Sequence, residues 1–142
     1  MPATEATNLP TDDVRSVMET LGSTLTQPKN AVLFQQGDAP VGVYLVRRGA
    51  VRMTVKAGGS EVLMRIAHPG AVIGLPGVLG NKPYSLTAIT MQATELAFVP
   101  AEKLVEAVRA NPMLGLQVLQ LLSEDVRTAR GAIASTRQSV KV

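Results

Sequence analysis

Few side chains in these 142 residues are suited to covalent or metal chemistry. There is one histidine, His68, and no cysteine. His68 precedes Pro69-Gly70, a turn signal, and reads as an exposed loop residue. Without a second histidine or a thiol, no nucleophile and base pair can be built. No acids gather at metal-ligand spacing. The stretch Gly77 to Lys82 holds glycine and lysine but lacks the spacing of a phosphate loop. Asp38 follows Gly37 in a tight turn, where bonding of its side chain to backbone accounts for it. Tyr44 reads as a core ring with a bonded hydroxyl. The expectation is therefore a non-enzymatic protein with no metal.

Composition sets the frame that must position any binding site. Apolar residues make up 46% and charged residues 18%, which suits one folded domain. Aromatics are only 3%, so the core is expected to be aliphatic. No apolar run approaches the roughly 20 residues of a membrane span. Residues 1–10 lack a basic start and an apolar stretch, so they read as a disordered leader and not as a signal peptide. The absence of thiols fits a cytoplasmic location. The net charge is +3, and Arg127, Arg130, Arg137 and Lys141 crowd the end of the chain. Such a basic tail suits nucleic-acid contact, and equally a solvated helix face with a frayed terminus.

Thr11 is placed to cap a first helix carrying Val14, Val17, Met18 and Leu21 at helical spacing, with Asp12 and Asp13 in its first turn. Gly22 is its expected stop, and residues 27–30 form a turn. From residue 31 to about 100 the apolar period changes to two. Runs at 31–34, 41–47, 51–56, 61–67, 85–91 and 94–99 alternate with Gly and Pro punctuation. Gly58-Gly59 signals a hairpin, because both residues take positive φ readily. Val43, Leu45 and the apolar part of Arg47 fall on one side of their strand, Tyr44 and Val46 on the other. Many short strands at near-regular spacing indicate a sandwich or jelly roll. Pro100 ends the strands. A short helix follows with Leu104, Val105 and Val108, and Asn111-Pro112 opens a longer one. In the longer helix Leu114, Val118 and Leu121 form one apolar stripe. Leu119, Leu122, Val126, Ala129 and Ile133 form a second at coiled-coil spacing. Two apolar faces need two partners, and an isologous homodimer supplies the second. One broad stripe buried within a monomer is the alternative.

Residues Phe34 to Val51 read Phe-Gln-Gln-Gly-Asp-Ala-Pro-Val-Gly-Val-Tyr-Leu-Val-Arg-Arg-Gly-Ala-Val. The spacing from Gly37-Asp38 through Tyr44-Leu45-Val46 to Gly49 resembles the opening of the cyclic-nucleotide-binding domain, the sensor of transcription factors of the catabolite-activator and fumarate-nitrate-regulator type. The resemblance extends over about residues 11–133. It implies a mainly β fold with flanking helices, a double-stranded β-helix or jelly roll with a long C-terminal helix. It also implies a homodimer through that helix, at about 112–133, and cyclic AMP or cyclic GMP as ligand. Residues 134–142 are then a tail, too short for the helix-turn-helix that follows the sensor in such regulators, so no DNA-binding domain is expected within this chain.

In that family a Gly-Glu-Leu/Ala cassette, a one-turn helix and an Arg-Ser/Thr or Arg-Ala pair hold the ligand. The glutamate accepts from the ribose and the arginine pairs with the cyclic phosphate. By the resemblance, the candidate binding residues here are Gly74, Leu75, Gly77, Val78, Lys82, Tyr84 and Ser85. Arg127 and Arg130 are the helix residues near the level of the base; the alternative is that both are solvent-exposed and pair with Glu124 or another acid along the helix. Two positions depart from the pattern. Leu75 stands for the glutamate and Tyr84 for the arginine, while Pro76 removes one N–H donor. Losing two charge-assisted hydrogen bonds of roughly 1.5–3 kcal/mol each weakens binding about a hundredfold or more. Three readings stay open at this point. The pocket takes another, less charged small molecule through Leu75, Tyr84 and Ser85; or it is vestigial and filled, leaving a ligand-free dimerisation or protein-interaction module; or it binds cyclic nucleotides weakly. The first makes the protein a ligand-sensing regulatory domain with an atypical pocket.

Overall fold

The computed structural model describes residues 14–122. Helix α1 (Val14–Leu21) leads into β1 (Ser23–Gln27), β2 (Val32–Phe34), β3 (Gly42–Arg48), β4 (Val51–Ala57), β5 (Ser60–Ala67) and β6 (Val72–Ile73). Helix α2 (Leu75–Gly80), β7 (Thr87–Thr90), β8 (Thr94–Pro100) and α3 (Ala101–Ala110) follow. A last helix, α4, occupies residues 112–122 of the described part. The strands make two four-stranded antiparallel sheets, ordered β1-β8-β3-β6 and β2-β7-β4-β5. This is the mainly β jelly roll with flanking helices that the alternating pattern indicates.

The alternation along β3 explains the layering. Val43 and Leu45 enter a core cluster shared with Val14 and Met18 of α1, Leu104 of α3 and Leu114 and Val118 of α4. Tyr44 and Val46 enter a second cluster with Val51, Met53 and Ala88 of the other sheet. β8 splits in the same way, with Ala97 and Val99 on the helix side and Leu96 between the sheets. The central strands β3 and β8 of the first sheet are thus covered on both faces, between helices and the second sheet, while β1 at the edge is largely exposed. Side-chain period two delivers opposite faces to opposite cores. The expected faces of β3 are the observed ones.

Turn chemistry matches its residues. Gly22 ends α1, its N–H donating to the Met18 carbonyl at 2.8 Å. Gly58 and Gly59 take φ of 59° and 85° between Ala57 and Ser60, a two-residue hairpin loop. Two strands differ from the sequence expectation. β1 has a weak apolar pattern, with Leu25 as its one large apolar residue, and forms because it pairs along β8. β6 is two residues long and is held by pairing with Tyr44 and Leu45. Neither has an alternation long enough to read without its partner.

Arg47 ties the elements of the first sheet together at their edge. Its guanidinium donates to Glu19 of α1 at 2.6 Å, Thr24 of β1 at 2.8 Å and Glu95 of β8 at 3.3 Å. Thr90 does similar work in the other sheet, accepting from the Ala31 N–H at 2.8 Å and donating to the Pro28 carbonyl at 2.6 Å. The expected cap at Thr11, the leader, the tail and the helix beyond residue 122 lie outside the described residues.

Candidate ligand-binding site

Helix α2 starts where the chain leaves β6. Gly74 precedes it with φ 94°, and Pro76 sits in its first turn. That left-handed residue aims the helix so that its two sides face different places. Leu75 and Val78 point into the core cluster under the helices, and Leu75 is 0% exposed. Gly74, Gly77 and Gly80, three residues apart, lie on the other side and form part of a cavity wall with Pro76 and Leu79.

Tyr84 forms the next part of the wall. Its ring stacks on Phe34 with centroids 3.9 Å apart. Its hydroxyl accepts from the N–H groups of Val41 and Gly42, each at 3.1 Å, and donates to the Gly42 carbonyl at 2.6 Å. A phenol has one proton and two lone pairs, so this hydroxyl is saturated. The backbone of Tyr84 is held too. Its N–H donates to the Asp38 carbonyl at 2.9 Å, and its carbonyl accepts from Gly37 at 2.8 Å. Asp38 in turn accepts from the Gln35 N–H at 2.9 Å through Oδ2. The Gly37-Asp38 turn is therefore the clamp that sets Tyr84.

The second sheet adds Met53 and Met64 to the wall. In β4 and β5, Met53 pairs with Arg65 while Thr54 pairs with Leu63, so Met64 is the extra residue of a bulge. A bulge breaks the two-residue alternation. Here it brings both Met64 and Arg65 to the cavity and leaves Leu63 half exposed at 50%. Arg65 also makes an interaction of its own within the protein. Leu86 and, from α4, Leu122 complete the wall. The cavity measures about 590 Å³. That lies within the roughly 300–1,000 Å³ of small-molecule sites.

The candidate residues from the sequence divide accordingly. Gly74, Gly77, Tyr84 and Ser85 meet at the cavity. Leu75 and Val78 do not line it, because the helix turns them into the core. Lys82 is exposed and off the wall, its N–H closing the helix end on the Gly77 carbonyl at 3.0 Å. Tyr84 offers a ring and not a polar contact. Of the expected seam, Leu119 is 60% exposed, whereas Leu122 is half-buried and turned to the cavity. Val126, Ala129, Ile133, Arg127 and Arg130 lie outside the described residues. Tyr44 is a buried ring whose hydroxyl donates to the Leu33 carbonyl at 3.4 Å, and burial pushes its pKa up to about 12, with Tyr84 adding repulsion. Sequence reasoning missed Arg65 and the methionines, since only the pairing register exposes the bulge.

The model of the cyclic nucleotide-binding domain matches residues 25–111, which contain both sheets apart from the start of β1, and α2 and α3. The chain belongs to the cyclic nucleotide-binding domain family. This domain is 33% identical over 100 residues to the transcriptional activator protein FnrA of Stutzerimonas stutzeri, covering 70% of this chain and 41% of that protein. It is 29% identical over 103 residues to the cyclic AMP receptor protein of Thermus thermophilus, covering 72% of this chain and 48% of the relative. The chain thus spans less than half the length of these relatives. Among solved structures, the catabolite activator protein of Thermus thermophilus shares the fold with a TM-score of 0.75 at 23% identity, over 91% of this chain and 63% of that one. FixK2 of Bradyrhizobium japonicum does so with a TM-score of 0.70 at 20% identity, over 78% of this chain and 55% of that one. Among the described residues, no helix of this cyclic nucleotide-binding domain is long and apolar enough to cross a membrane, and no group of His, Cys, Asp or Glu is placed to hold a metal.

Proposed function

We propose that this domain is the ligand-sensing unit of a cytoplasmic transcription regulator of the catabolite-activator and fumarate-nitrate-regulator type, with a pocket altered away from cyclic nucleotides. The observation that carries the reading is the open cavity of about 590 Å³ between α2, the second sheet and Leu122. It lies beside the cassette that would hold the family's ligand, and a volume in the range of small-molecule sites supports an occupied pocket over a vestige filled by side chains. Its wall also includes a residue of the last helix, so an occupant touches the element through which a signal would leave.

Cyclic AMP and cyclic GMP fit the chain's own residues poorly. The position expected to accept from ribose is Leu75, which is buried in the other core. The position expected to pair with phosphate is Tyr84, whose hydroxyl is consumed by Val41 and Gly42. A buried phosphate without its cation keeps most of its desolvation cost. The domain pairs with a second copy through the helix that begins at residue 112, with Leu119 on the contact face. Ligand binding favours one packing of that helix over another, and differential affinity for the two packings is the signal.

A thermal-shift screen of small organic acids, apolar metabolites and cyclic nucleotides tests the proposal. A compound that binds only the folded state raises Tm by mass action. The expected result is a rise with at least one class other than cyclic nucleotides. A flat response across all classes at millimolar concentration overturns the sensing role.

A further inference from the structure

The chemistry of the wall narrows the ligand further, on the premise that the cavity is a ligand site. Met53, Met64, Ile73, Leu79, Leu86 and Leu122 give it a continuous apolar surface. Ser85 lines it from a solvent-exposed position, and the Tyr84 hydroxyl is saturated. Among the described residues, the one side chain on the wall that carries charge at neutral pH is Arg65. It comes from the bulge of β5, outside the cassette.

We propose that the cavity takes a singly anionic amphiphile, a carboxylate on an aliphatic chain or aromatic ring, with the carboxylate at Arg65. The apolar body displaces water from the methionine and leucine surface. The carboxylate answers a guanidinium, whose five donors allow it to serve an anion alongside its existing interaction. A nucleotide would bring a ribose and a base whose several polar edges have only Ser85 and Arg65 as polar partner side chains with free capacity on this wall, and unpaired buried polar groups weaken binding. A neutral apolar molecule gains nothing from Arg65.

Titration calorimetry on the full chain near pH 7 tests this with three probes: decanoate, its neutral counterpart decan-1-ol, and cyclic AMP. Decanoate should bind at least about tenfold more tightly than decan-1-ol, the worth of one charge-assisted hydrogen bond. Arg65→Gln should erase that preference, and Arg65→Lys should retain part of it. Circular dichroism checks that each variant is folded. If Arg65→Gln does not fold, the comparison of decanoate with decan-1-ol on the native chain and on Arg65→Lys decides the matter. Equal binding of decanoate and decan-1-ol, or a preference that survives Arg65→Gln, overturns the proposal while leaving an apolar ligand site. Binding of cyclic AMP alone overturns it and leaves a sensor of another kind. If none of the three binds, the proposal fails, and the separate thermal-shift screen decides whether the sensing role fails with it.

Discussion

The Tyr84 hydroxyl both donates to the Gly42 carbonyl at 2.6 Å and accepts from the Gly42 N–H at 3.1 Å, so one residue closes a two-way bond with the first residue of β3. The residue that the family resemblance puts in the ligand's place is thereby committed to the backbone. Phe34 stacks on its ring at 3.9 Å, and the Gly37-Asp38 turn holds its main chain. The arrangement makes Tyr84 a structural strut whose ring faces the cavity.

Tyr84→Phe should destabilise the fold by about 1–3 kcal/mol, because it leaves the Val41 and Gly42 groups without their partner. Urea unfolding measures this. A change within a few tenths of a kcal/mol would mean that water replaces the hydroxyl without loss.

Restoring the family's charges should not restore its ligand. Leu75→Glu combined with Tyr84→Arg places an acid at a fully buried site and removes the strut. The double variant should lose several kcal/mol, on the order of 3 or more, or fail to fold. Chemical denaturation reads the stability. A well-folded double variant with micromolar affinity for cyclic AMP would show that Leu75 reaches the cavity after all.

Glycines at two close approaches should resist even alanine. A Cβ on Gly42 would meet the Phe98 ring and lie 2.5 Å from the Val99 carbonyl oxygen. A Cβ on Gly74 would lie 3.1 Å from the Gly42 carbonyl oxygen, on a residue with φ 94°. Gly42→Ala should cost about 1–3 kcal/mol through overpacking, and Gly74→Ala about 1–2 kcal/mol through its left-handed backbone. Differential scanning calorimetry checks both. Gly58→Ala, with no atom near its Cβ, isolates the backbone contribution.

Alkaline stability should follow Tyr44. Burial first, then Tyr84, raises its pKa from 10.0 to about 12 in the folded protein. The unfolded chain loses this proton first, so the folded state binds more protons between those values. Stability is full below about pH 10 and falls as pH rises toward 12. Tyr44→Phe should flatten that part of the profile. An unchanged slope in the variant would assign the alkaline loss to other groups.

The two leucines of the last helix should separate in function. Leu119→Ser lies on the exposed side and should weaken self-association, as read by sedimentation, with little effect on the melting of the monomer. Leu122→Ser lies on the cavity wall and should weaken ligand affinity. Identical effects from both would place them on one surface.

Much of this was legible because it depends on local period. The alternation of Val43, Tyr44, Leu45 and Val46 identified both faces of β3, and Gly58-Gly59 marked the hairpin. The stripe Leu114, Val118 and Leu121 correctly marked the face of α4 that packs on the β-domain. The site was less legible. Leu75 sits next to Gly74, whose positive φ turns it away from the cavity, and one residue's dihedral is not written in apolar spacing. Arg65 reaches the wall through a bulge defined only by pairing with β4. Tyr84 is bonded to Gly42, a partner 42 residues away, which no local pattern reveals.

The most direct test of the account is titration calorimetry of the folded chain with cyclic AMP and cyclic GMP. The account predicts no binding in the micromolar range for either nucleotide. A dissociation constant of a few micromolar for either would contradict it, because Leu75 and Tyr84 could then not be what they are in this structure: a buried core residue and a strut with no free hydroxyl.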